Sequence, residues 1–361
     1  MKLVICGDLS VTEESRRFFE SGDPRAAFGD VCDLFATADR TIVNLECALT
    51  DSENRIKKFG PNLKGPKSTA DTLKAAGVTD CTLSNNHIFD FGKEGFYDTI
   101  KALDRCELVH TGWGETYEDS RKNVTYEQNG IRVTLVNVCE HEYSYATETR
   151  VGARPFDEFE TMQDIREAKK SADFVIVVYH GGKELCRYPS PRLMKACREM
   201  VRCGADAVFC QHSHCIGTYE CFEGGHILYG QGNFHFVSDK EYEGWNEGLA
   251  VCLDIDGKQM KISFEPVIGE NGAIRMANAD EKKRILDAMN ERNKTVADGT
   301  WKQHWHAFCE SQLEKYLKAA GFWDRYTTEE YQKFAHYLDC EAHTDVWREI
   351  FPTWNATNEI D

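Results

Sequence analysis

Apolar runs of strand length alternate with stretches of helical spacing through about residue 215. Residues 2–6 and 174–178 are almost wholly apolar, as buried strands are, whereas residues 161–171 place their apolar side chains on one helical face. Residues 24–37 also follow a helical pattern. Strands and helices that alternate along one chain predict an α/β layered fold rather than separate α and β halves.

Two dipeptides of the turn type indicate that the predicted sheet is mixed. Asn129-Gly130 separates two short runs with strand alternation, and Asp256-Gly257 separates another such pair. These dipeptides favour two-residue hairpin turns, which join antiparallel strands. The sequence therefore predicts antiparallel strands beside the parallel ones.

Helix formers and aromatic residues dominate the C-terminal part of the chain. Apolar side chains recur at helical spacing over residues 301–317, and residues 327–330 form a capping box ahead of another helix. We therefore predict a main domain over residues 1–275 and an α-helical extension over residues 276–361 that packs on it. The aromatic stripe of the extension is interpreted as core, with a homo-oligomer contact as the alternative.

The charge balance restricts the partners. The chain has 60 Asp and Glu against 43 Lys and Arg, a net charge of -17. A field of this sign repels nucleic acid and anionic lipid surfaces. We expect neither a nucleic-acid partner nor a membrane partner.

The N-terminus and the cysteines bear on location. The chain reaches Asp8 after only a few apolar residues, too few for the core of a signal peptide, and no run approaches the ~20 apolar residues of a membrane span. The 15 cysteines are scattered and include no C-x-x-C pair, so they indicate neither a zinc knuckle nor a disulfide framework. We predict a cytoplasmic protein.

Polar motifs stand where predicted strands end. They are Gly7-Asp8, Asn44-Leu45-Glu46, Asn85-Asn86-His87, His180-Gly181-Gly182, His212-Ser213-His214 and Gly230-Gln231-Gly232-Asn233. Carboxylate, amide and imidazole groups that converge from separate strands can hold two divalent cations, and such a pair suits the hydrolysis of phosphate esters or amides.

Each motif alone also has a structural interpretation. His212 and His214 form the sharpest signal, because alternation in an extended segment places both imidazoles on one side, but both could be turn histidines. Glu46 ends an apolar strand, where an ionised carboxylate is costly unless it is paired or bound to metal. Asp8 could be a turn residue or helix cap. The joint pattern favours a single site, because several coincidences at strand ends are improbable.

The ordered set of motifs, with Asp90 and Gly92 after the third and Glu184 after the fourth, resembles a known family. The resemblance is to the CapA-type capsule-biosynthesis proteins linked to poly-γ-glutamate, a branch of the calcineurin-like metallophosphoesterases, and it covers about residues 1–270. It implies a four-layer α/β/β/α sandwich of the metallophosphoesterase type, with a dinuclear centre at one edge of its sheets. The α-helical C-terminal extension lies outside it.

The resemblance also implies roles for individual residues. It makes His87 the histidine that faces the substrate, and Asp90 would orient His87. The implied metal ligands are Asp8, Glu46, Asn86, His180, His212 and His214. The ligand types suit two divalent ions of Mn, Zn or Fe.

Some positions depart from the family pattern. Asp8-Leu9-Ser10 lacks the histidine of the Asp-x-His motif found in the wider superfamily, as is usual in CapA-type proteins, so one metal is expected to be held more weakly. Gly181 stands where a tryptophan is common, and Ser213 where a proline is common. The departures at Gly181 and Ser213, together with Leu185 where an aromatic residue commonly follows the glutamate, bear on substrate specificity more than on metal binding.

A small anionic or polyanionic substrate is expected, and further polar residues near the motifs could bind it. The candidates are Glu184, Arg187, Arg192, Glu140, His141 and Asn233, with solvated helix or loop positions as the alternative for the charged ones. His304 and His306 also form a His-x-His pair, but residues two apart in a helix point in different directions, so a shared site is not expected.

Three functions remain open from the sequence. The favoured one is a dinuclear metallohydrolase that cleaves a phosphate ester with metal-activated water. The second is a γ-glutamyl amide hydrolase or a capsule-polymer accessory enzyme. The third is a non-catalytic module that binds a polyanion.

Overall fold

The computed structural model of the chain describes residues 1–239, 242–321 and 327–351. The helices are α1 Arg16–Ser21, α2 Pro24–Phe28, α3 Val31–Phe35, α4 Thr69–Ala76, α5 Gly92–Arg105, α6 Tyr117–Ser120, α7 Glu160–Ser171, α8 Pro191–Arg202, α9 Ala279–Asp298, α10 Trp301–Ala320, α11 Thr328–Asp339 and α12 Glu341–Ile350. The strands are β1 Lys2–Leu9, β2 Arg40–Leu45, β3 Ala48–Leu49, β4 Lys64–Gly65, β5 Asp80–Thr82, β6 Val109–Thr111, β7 Trp113–Gly114, β8 Val124–Gln128, β9 Ile131–Cys139, β10 Gly152–Ala153, β11 Phe174–His180, β12 Ala207–Gln211, β13 Tyr219–Phe222, β14 Gly225–Leu228, β15 Asn233–His235, β16 Glu247–Asp256, β17 Gln259–Glu270 and β18 Ala273–Met276.

Two mixed sheets form the centre of the molecule. The first has the strand order β18-β17-β16-β1-β2-β5-β6, and β15 pairs with β1. In it β1, β2, β5 and β6 run parallel, whereas β16 to β18 are antiparallel. The second has the order β13-β14-β12-β11-β9-β8, with a parallel centre and antiparallel strands at both edges. The predicted mixed pairing is confirmed.

Alternating side chains separate the molecule into four layers. In β1, Leu3 and Ile5 point into a core between the two sheets, whereas Val4 and Cys6 join a core under helices α1 to α5. The strands of the second sheet divide in the same way, with α7 and α8 covering its outer face. Strands buried on both faces read as continuous apolar runs, which explains the pattern of residues 2–6. The predicted four-layer α/β/β/α sandwich is confirmed.

The C-terminal helices share a core with the second sheet. Trp305 of α10, Tyr337 of α11 and Val346 of α12 lie in the same apolar cluster as Val177 of β11 and Leu193 of α8. The capping box ahead of α11 is formed as expected. Within the described ranges, no helix has both the length and the apolar character needed to cross a bilayer.

One predicted element differs. The helical pattern of residues 24–37 gives two short helices, α2 and α3, with Gly29 between them at φ +51°. A Cβ at Gly29 would lie 2.8 Å from the carbonyl oxygen of Ile274, so the backbone of another element passes here. The prediction of one helix was wrong because this contact with β18 is not visible in local periodicity.

Candidate metal centre

The polar motifs of both sheets meet where the parallel strands end. Asp8 lies in β1, Glu46 follows β2, Asn86 follows β5, His180 ends β11, and His212 and His214 follow β12. All six side chains are buried. The topology therefore brings together the residues that the motifs selected.

Glu46 belongs to two groups of ligand-type atoms. Asp8, Glu46 and His180 each offer an atom within 4.8 Å of the others, and so do Glu46, His212 and His214. His180 Nδ1 lies 3.6 Å from Asp8 Oδ1, and His180 Nε2 lies 3.4 Å from Glu46 Oε1. Asn86 Oδ1 lies 3.0 Å from His180 Nε2. A carboxylate common to both groups is placed where a bridging ligand would be needed.

Several of these atoms are buried without hydrogen bonds. Among the described residues, both carboxylate oxygens of Glu46 and Nδ1 of His212 have no hydrogen-bond partner. A buried polar atom without a partner costs free energy, and a buried carboxylate costs more. Coordination to a cation would satisfy all three atoms. The donor set of carboxylate, imidazole and amide groups fits Mn, Zn or Fe, so the residues present fit a divalent metal pair.

The backbone at the His-x-His motif is held in an unusual conformation. His212 has φ +77° and His214 has φ +53°, in the left-handed region that non-glycine residues rarely adopt. Such conformations cost about 1–3 kcal/mol each and cluster at functional sites. In this conformation both imidazoles offer a nitrogen within 4.8 Å of a carboxylate oxygen of Glu46.

A second set of side chains holds the ligands in place. Asn44 donates to Asp8 Oδ1 at 2.8 Å, and its Nδ2 lies 3.1 Å from His180 Nδ1. Asn85 donates in turn to the side-chain oxygen of Asn44. His214 Nδ1 lies 2.9 Å from Asn233 Oδ1, so Asn233 orients the ring of His214.

The pKa values of Asp8, His180 and His212 depend strongly on burial and on the charges of neighbouring groups. Burial opposes ionisation of Asp8, but hydrogen bonding and the charge of His180 lower the pKa of Asp8 to about 2. Burial likewise opposes protonation of His180, yet Glu46 and Asp8 raise the pKa of His180 to about 10. Burial and the charge of His180 hold the pKa of His212 well below its usual range, so His212 is a neutral imidazole. The two carboxylates therefore attract positive charge to this point.

The predicted catalytic pair is in contact. His87 Nδ1 lies 2.7 Å from Asp90 Oδ2, and Lys58 Nζ lies 2.5 Å from Asp90 Oδ1 and 3.1 Å from His87 Nδ1. Since Nδ1 of His87 faces Asp90, Nε2 is the nitrogen left to meet a substrate. Lys58 also lines a cavity of about 490 Å³, together with Glu142, Tyr143 and His336.

Two of the predicted substrate-binding residues are engaged within the protein. Arg192 donates to Glu140 Oε1 at 2.6 Å and to Asp345 of α12 at 3.0 Å. The side chains of Glu140 and Asp345 are 3% and 4% exposed, so this is a buried network. The charges of Arg192 and Glu140 are therefore satisfied without a ligand.

The remaining candidates lie at different places around the site. His141 Nδ1 lies 2.6 Å from Glu341, on α12. Arg187 donates to the backbone oxygen of Glu243. Burial raises the pKa of Glu184, but the charge of Lys183, whose Nζ lies 3.9 Å from a carboxylate oxygen of Glu184, holds this pKa well below its usual range.

Five residues in or beside the site were given no role from the sequence, although Asn44 and Glu142 stood inside motifs that drew attention: Asn44, Lys58, Glu142, His336 and His343. Asn44 stands inside the motif that contains Glu46, and Glu142 stands one position beyond His141, so both had a local signal. His336 and His343 had none, because they come from the C-terminal helices and reach the site only through tertiary packing.

The fold and the site define a four-layer α/β/β/α protein with a candidate dinuclear metal centre at the ends of its parallel strands. The chain belongs to the family described as bacterial capsule synthesis protein PGA_cap, whose sequence profile matches residues 2–238. The resemblance to CapA-type proteins is confirmed.

Relatives with assigned names include two from Bacillus. The chain is 29% identical to the capsule biosynthesis protein CapA of Bacillus anthracis over 246 residues, which is 65% of this chain and 60% of the relative. It is 28% identical to the PGA biosynthesis protein CapA of Bacillus subtilis (strain 168) over 234 residues, 64% of this chain and 62% of the relative. The chain therefore spans only about three fifths of the length of these relatives.

Solved structures give weaker likenesses. A hypothetical protein from Thermus thermophilus has a TM-score of 0.46 and 15% identity, covering 77% of this chain and 100% of that one. The 5'-nucleotidase from Candida albicans has a TM-score of 0.42 and 13% identity, covering 84% of this chain and 58% of that one. Because both scores are low, the family assignment depends on the sequence match.

Proposed function

We propose that this protein is a metal-dependent hydrolase that cleaves a phosphate ester. Two divalent ions would be held by Asp8, Glu46, Asn86, His180, His212 and His214. The observation that carries the proposal is Glu46, which belongs to both ligand groups and whose carboxylate oxygens are buried without hydrogen bonds to the described residues. Bound divalent ions would offset the cost of burying this carboxylate.

The chemistry divides between the ions and the protein. When bound, two ions of Mn, Zn or Fe supply Lewis acidity that activates water and offsets charge on phosphate oxygens. His87 presents Nε2 to the substrate, where it can donate a proton to the leaving group. Asp90 fixes the orientation of His87, and Lys58 holds Asp90 through its ion pair. Asn233 and Asn44 keep the ligands of the centre in position.

The substrate would be a small anion or a polyanion. The cavity is lined by Glu142 and Asp339 as well as by Lys57 and Lys58, and the whole chain carries a net charge of -17, so an anionic group would depend on the bound divalent ions for attraction. Cations placed in a cleft attract an anionic group locally. Glu184 and Arg187 remain candidates for substrate contact, whereas Arg192, Glu140 and His141 lie in ion pairs that link the main domain to α12.

A second function is favoured by the names of the relatives. Two of them are named for capsule or PGA biosynthesis, which supports a γ-glutamyl amide hydrolase or an accessory role with a capsule polymer. The same ligand set would suit either bond, because the Lewis acidity of bound divalent ions would assist the hydrolysis of phosphate esters and of amides alike. A module that binds a polyanion without turnover is the third candidate.

One experiment separates the three. Metal content would be measured by elemental analysis in the wild type and in His214→Ala, with hydrolysis of an aryl phosphate and of a γ-glutamyl anilide assayed on both. We expect bound transition metal in the wild type, less in the variant, and a parallel loss of phosphatase activity of at least about 100-fold. His306→Ala is a matched control, because His306 is a half-exposed histidine on α10.

The other outcomes are equally informative. Turnover of the anilide alone would replace the phosphoesterase with the amide hydrolase. Metal binding without turnover of either substrate would favour the binding module, and no bound metal after reconstitution would overturn the metal centre.

Two properties of the whole protein are proposed with this function. A reducing, cytoplasmic location is supported by the cysteines, since all 15 lie in the described ranges and are free thiols there. A homo-oligomer contact through the C-terminal helices is supported by Leu317 and Phe351, which are 49% and 47% exposed.

A further inference from the structure

A second cluster of ligand-type side chains lies outside the six proposed ligands. Glu142 belongs to the loop after β9, His336 to α11 and His343 to α12. One ligand atom from each of the three lies within 4.8 Å of the others. Two of these residues come from the C-terminal helices, beyond the part of the chain that the family profile matches.

The three ligand atoms face one another without forming hydrogen bonds. Glu142 Oε1 lies 3.5 Å from His336 Nδ1 and 3.8 Å from His343 Nε2. His336 Nδ1 is buried and has no hydrogen-bond partner within the described ranges. The ring centroids of the two histidines are 4.3 Å apart. This leaves two imidazole nitrogens and one carboxylate oxygen around a common point.

The remaining atoms of the cluster are held from outside. Glu142 Oε2 accepts a hydrogen bond from Asn86 Nδ2 at 2.7 Å. His343 Nδ1 lies 2.6 Å from the hydroxyl of Tyr316, which turns Nε2 towards Glu142. A partner on the second ring nitrogen is the arrangement that orients histidines in metal sites. Tyr316 is fully buried, so the ring of His343 is fixed by packing as well.

The helices that carry the two histidines are anchored. The network of Arg192, Glu140 and Asp345 ties α12 to the main domain. The capping box fixes the start of α11, and Tyr337, adjacent to His336, is buried in the core of the second sheet. Ligands on anchored helices hold the geometry that a metal ion requires.

We propose that Glu142, His336 and His343 form a third divalent metal site, of the zinc type, separate from the dinuclear centre. Two histidines and one glutamate are a known zinc ligand set, with a fourth position open to water or substrate. The carboxylate of Glu142 disfavours an anion at this point. The buried cations Lys183 and Lys58 lie nearby, and other carboxylates balance their charges, since Lys183 lies 3.9 Å from Glu184 and Lys58 lies 2.5 Å from Asp90.

The site also explains the orientation of Asn86. The amide of Asn86 directs its nitrogen to Glu142 and its oxygen to His180. The third site therefore adjoins the dinuclear centre through one side chain, and Glu142 and His336 of the third site line the cavity of about 490 Å³. The proposal extends the proposed function, but its test does not require turnover.

The test is a count of bound zinc in the full chain after removal and return of metal. Wild type, His336→Ala and Glu142→Gln would be compared by elemental analysis, with His306→Ala as the control. We expect each site variant to bind one equivalent fewer than the wild type, and the control to bind the same number. His336→Ala removes no hydrogen bond of Nδ1, and a circular-dichroism melt would verify that each variant folds.

A cobalt titration makes the result independent of the dinuclear centre. Co²⁺ in a tetrahedral site with histidine ligands gives visible absorption, which should persist in His212→Ala and disappear when His336→Ala is added. Equal metal counts in wild type, His336→Ala and Glu142→Gln would overturn the third site. Loss of metal only in His212→Ala would also overturn the third site and would support the dinuclear centre. Loss of metal only in His336→Ala would overturn the dinuclear centre and support the third site.

Discussion

Glu46 is the residue on which the chemistry of the site depends most. Its carboxylate lies at the end of an apolar strand, is fully buried, and makes ionic contact with His180 but no hydrogen bond to the described part of the chain. The sequence already indicated that such a carboxylate needs a compensating charge. The sequence could not show how closely the strands pack, and it is this packing that places Glu46 in both ligand groups.

Glu46→Gln should weaken metal binding and the stability that metal confers. A ligand at a hundredfold excess over its Kd stabilises a protein by about 2.7 kcal/mol, and the variant should lose most of such a gain. Thermal melts with and without Mn²⁺ would measure it. Glu53→Gln is the control, because Glu53 is exposed and its ion pairs, with Lys64 and Arg55, lie away from the site. Equal metal-dependent gains in both variants would contradict the role of Glu46.

The stability of the folded state should also depend on pH through His235, without any involvement of metal. Its side chain is buried with Nε2 3.1 Å from the carbonyl oxygen of Ala27, and burial lowers the pKa of His235 to about 4. The unfolded chain takes up this proton near pH 6.5, so the folded state loses stability as pH falls from there towards the folded pKa.

Between pH 7 and pH 5 this one group should remove about 2 kcal/mol from the free energy of unfolding. Urea unfolding with chelator present would compare wild type with His235→Gln, in which the histidine contribution is absent. A pH-dependent loss of the same size in both proteins would show that His235 does not contribute.

At the scale of elements, the contact between the main domain and α12 depends on Arg192. Gly181 leaves room for Glu140, the partner of Arg192, because a Cβ at Gly181 would lie 2.7 Å from Cγ of Glu140. The resemblance to CapA-type proteins led us to expect a tryptophan where Gly181 stands. The glycine at position 181 therefore occurs together with Glu140, whose carboxylate binds the helical extension.

Arg192→Met should leave Glu140 and Asp345 as buried charges without a cation, at a cost of about 3–5 kcal/mol. Arg202→Met, on the same helix, removes a half-exposed partner of Glu223 and should cost at most about 1 kcal/mol. Urea unfolding of the two variants tests the difference. Similar losses in both would mean that Arg192 does not anchor α12.

The sequence predicted the turns and helix ends correctly where neighbouring residues alone determine them. Asn129 and Gly130 both have positive φ, as the hairpin prediction required, and α4 ends before Gly77. The split of α2 and α3 at Gly29 could not be predicted, since it depends on the backbone of β18 passing close by. The prediction for 352–361, which includes the end of the extension, lies outside the described residues.

At the scale of the whole molecule, the site combines short-range and long-range information. The strand-end motifs could be recognised because each motif stands at the end of an apolar strand, and parallel strands end at one edge. His336 and His343 could not, because nothing in the pattern of α11 or α12 records that these helices lie against the loop of Glu142. Sequence motifs predicted the candidate metal ligands of residues 1–275, and tertiary packing brings the histidines of the C-terminal helices to Glu142.

The shared amide of Asn86 implies thermodynamic linkage. Its oxygen and nitrogen face different clusters, so an ion that orders one end of the amide lowers the entropic cost of ordering the other. By reciprocity, the factor by which zinc at Glu142 raises affinity at His180 equals the factor in the opposite direction. When metal is limiting, each molecule would then tend to bind either all of its ions or none, and molecules with only some sites occupied would be rare.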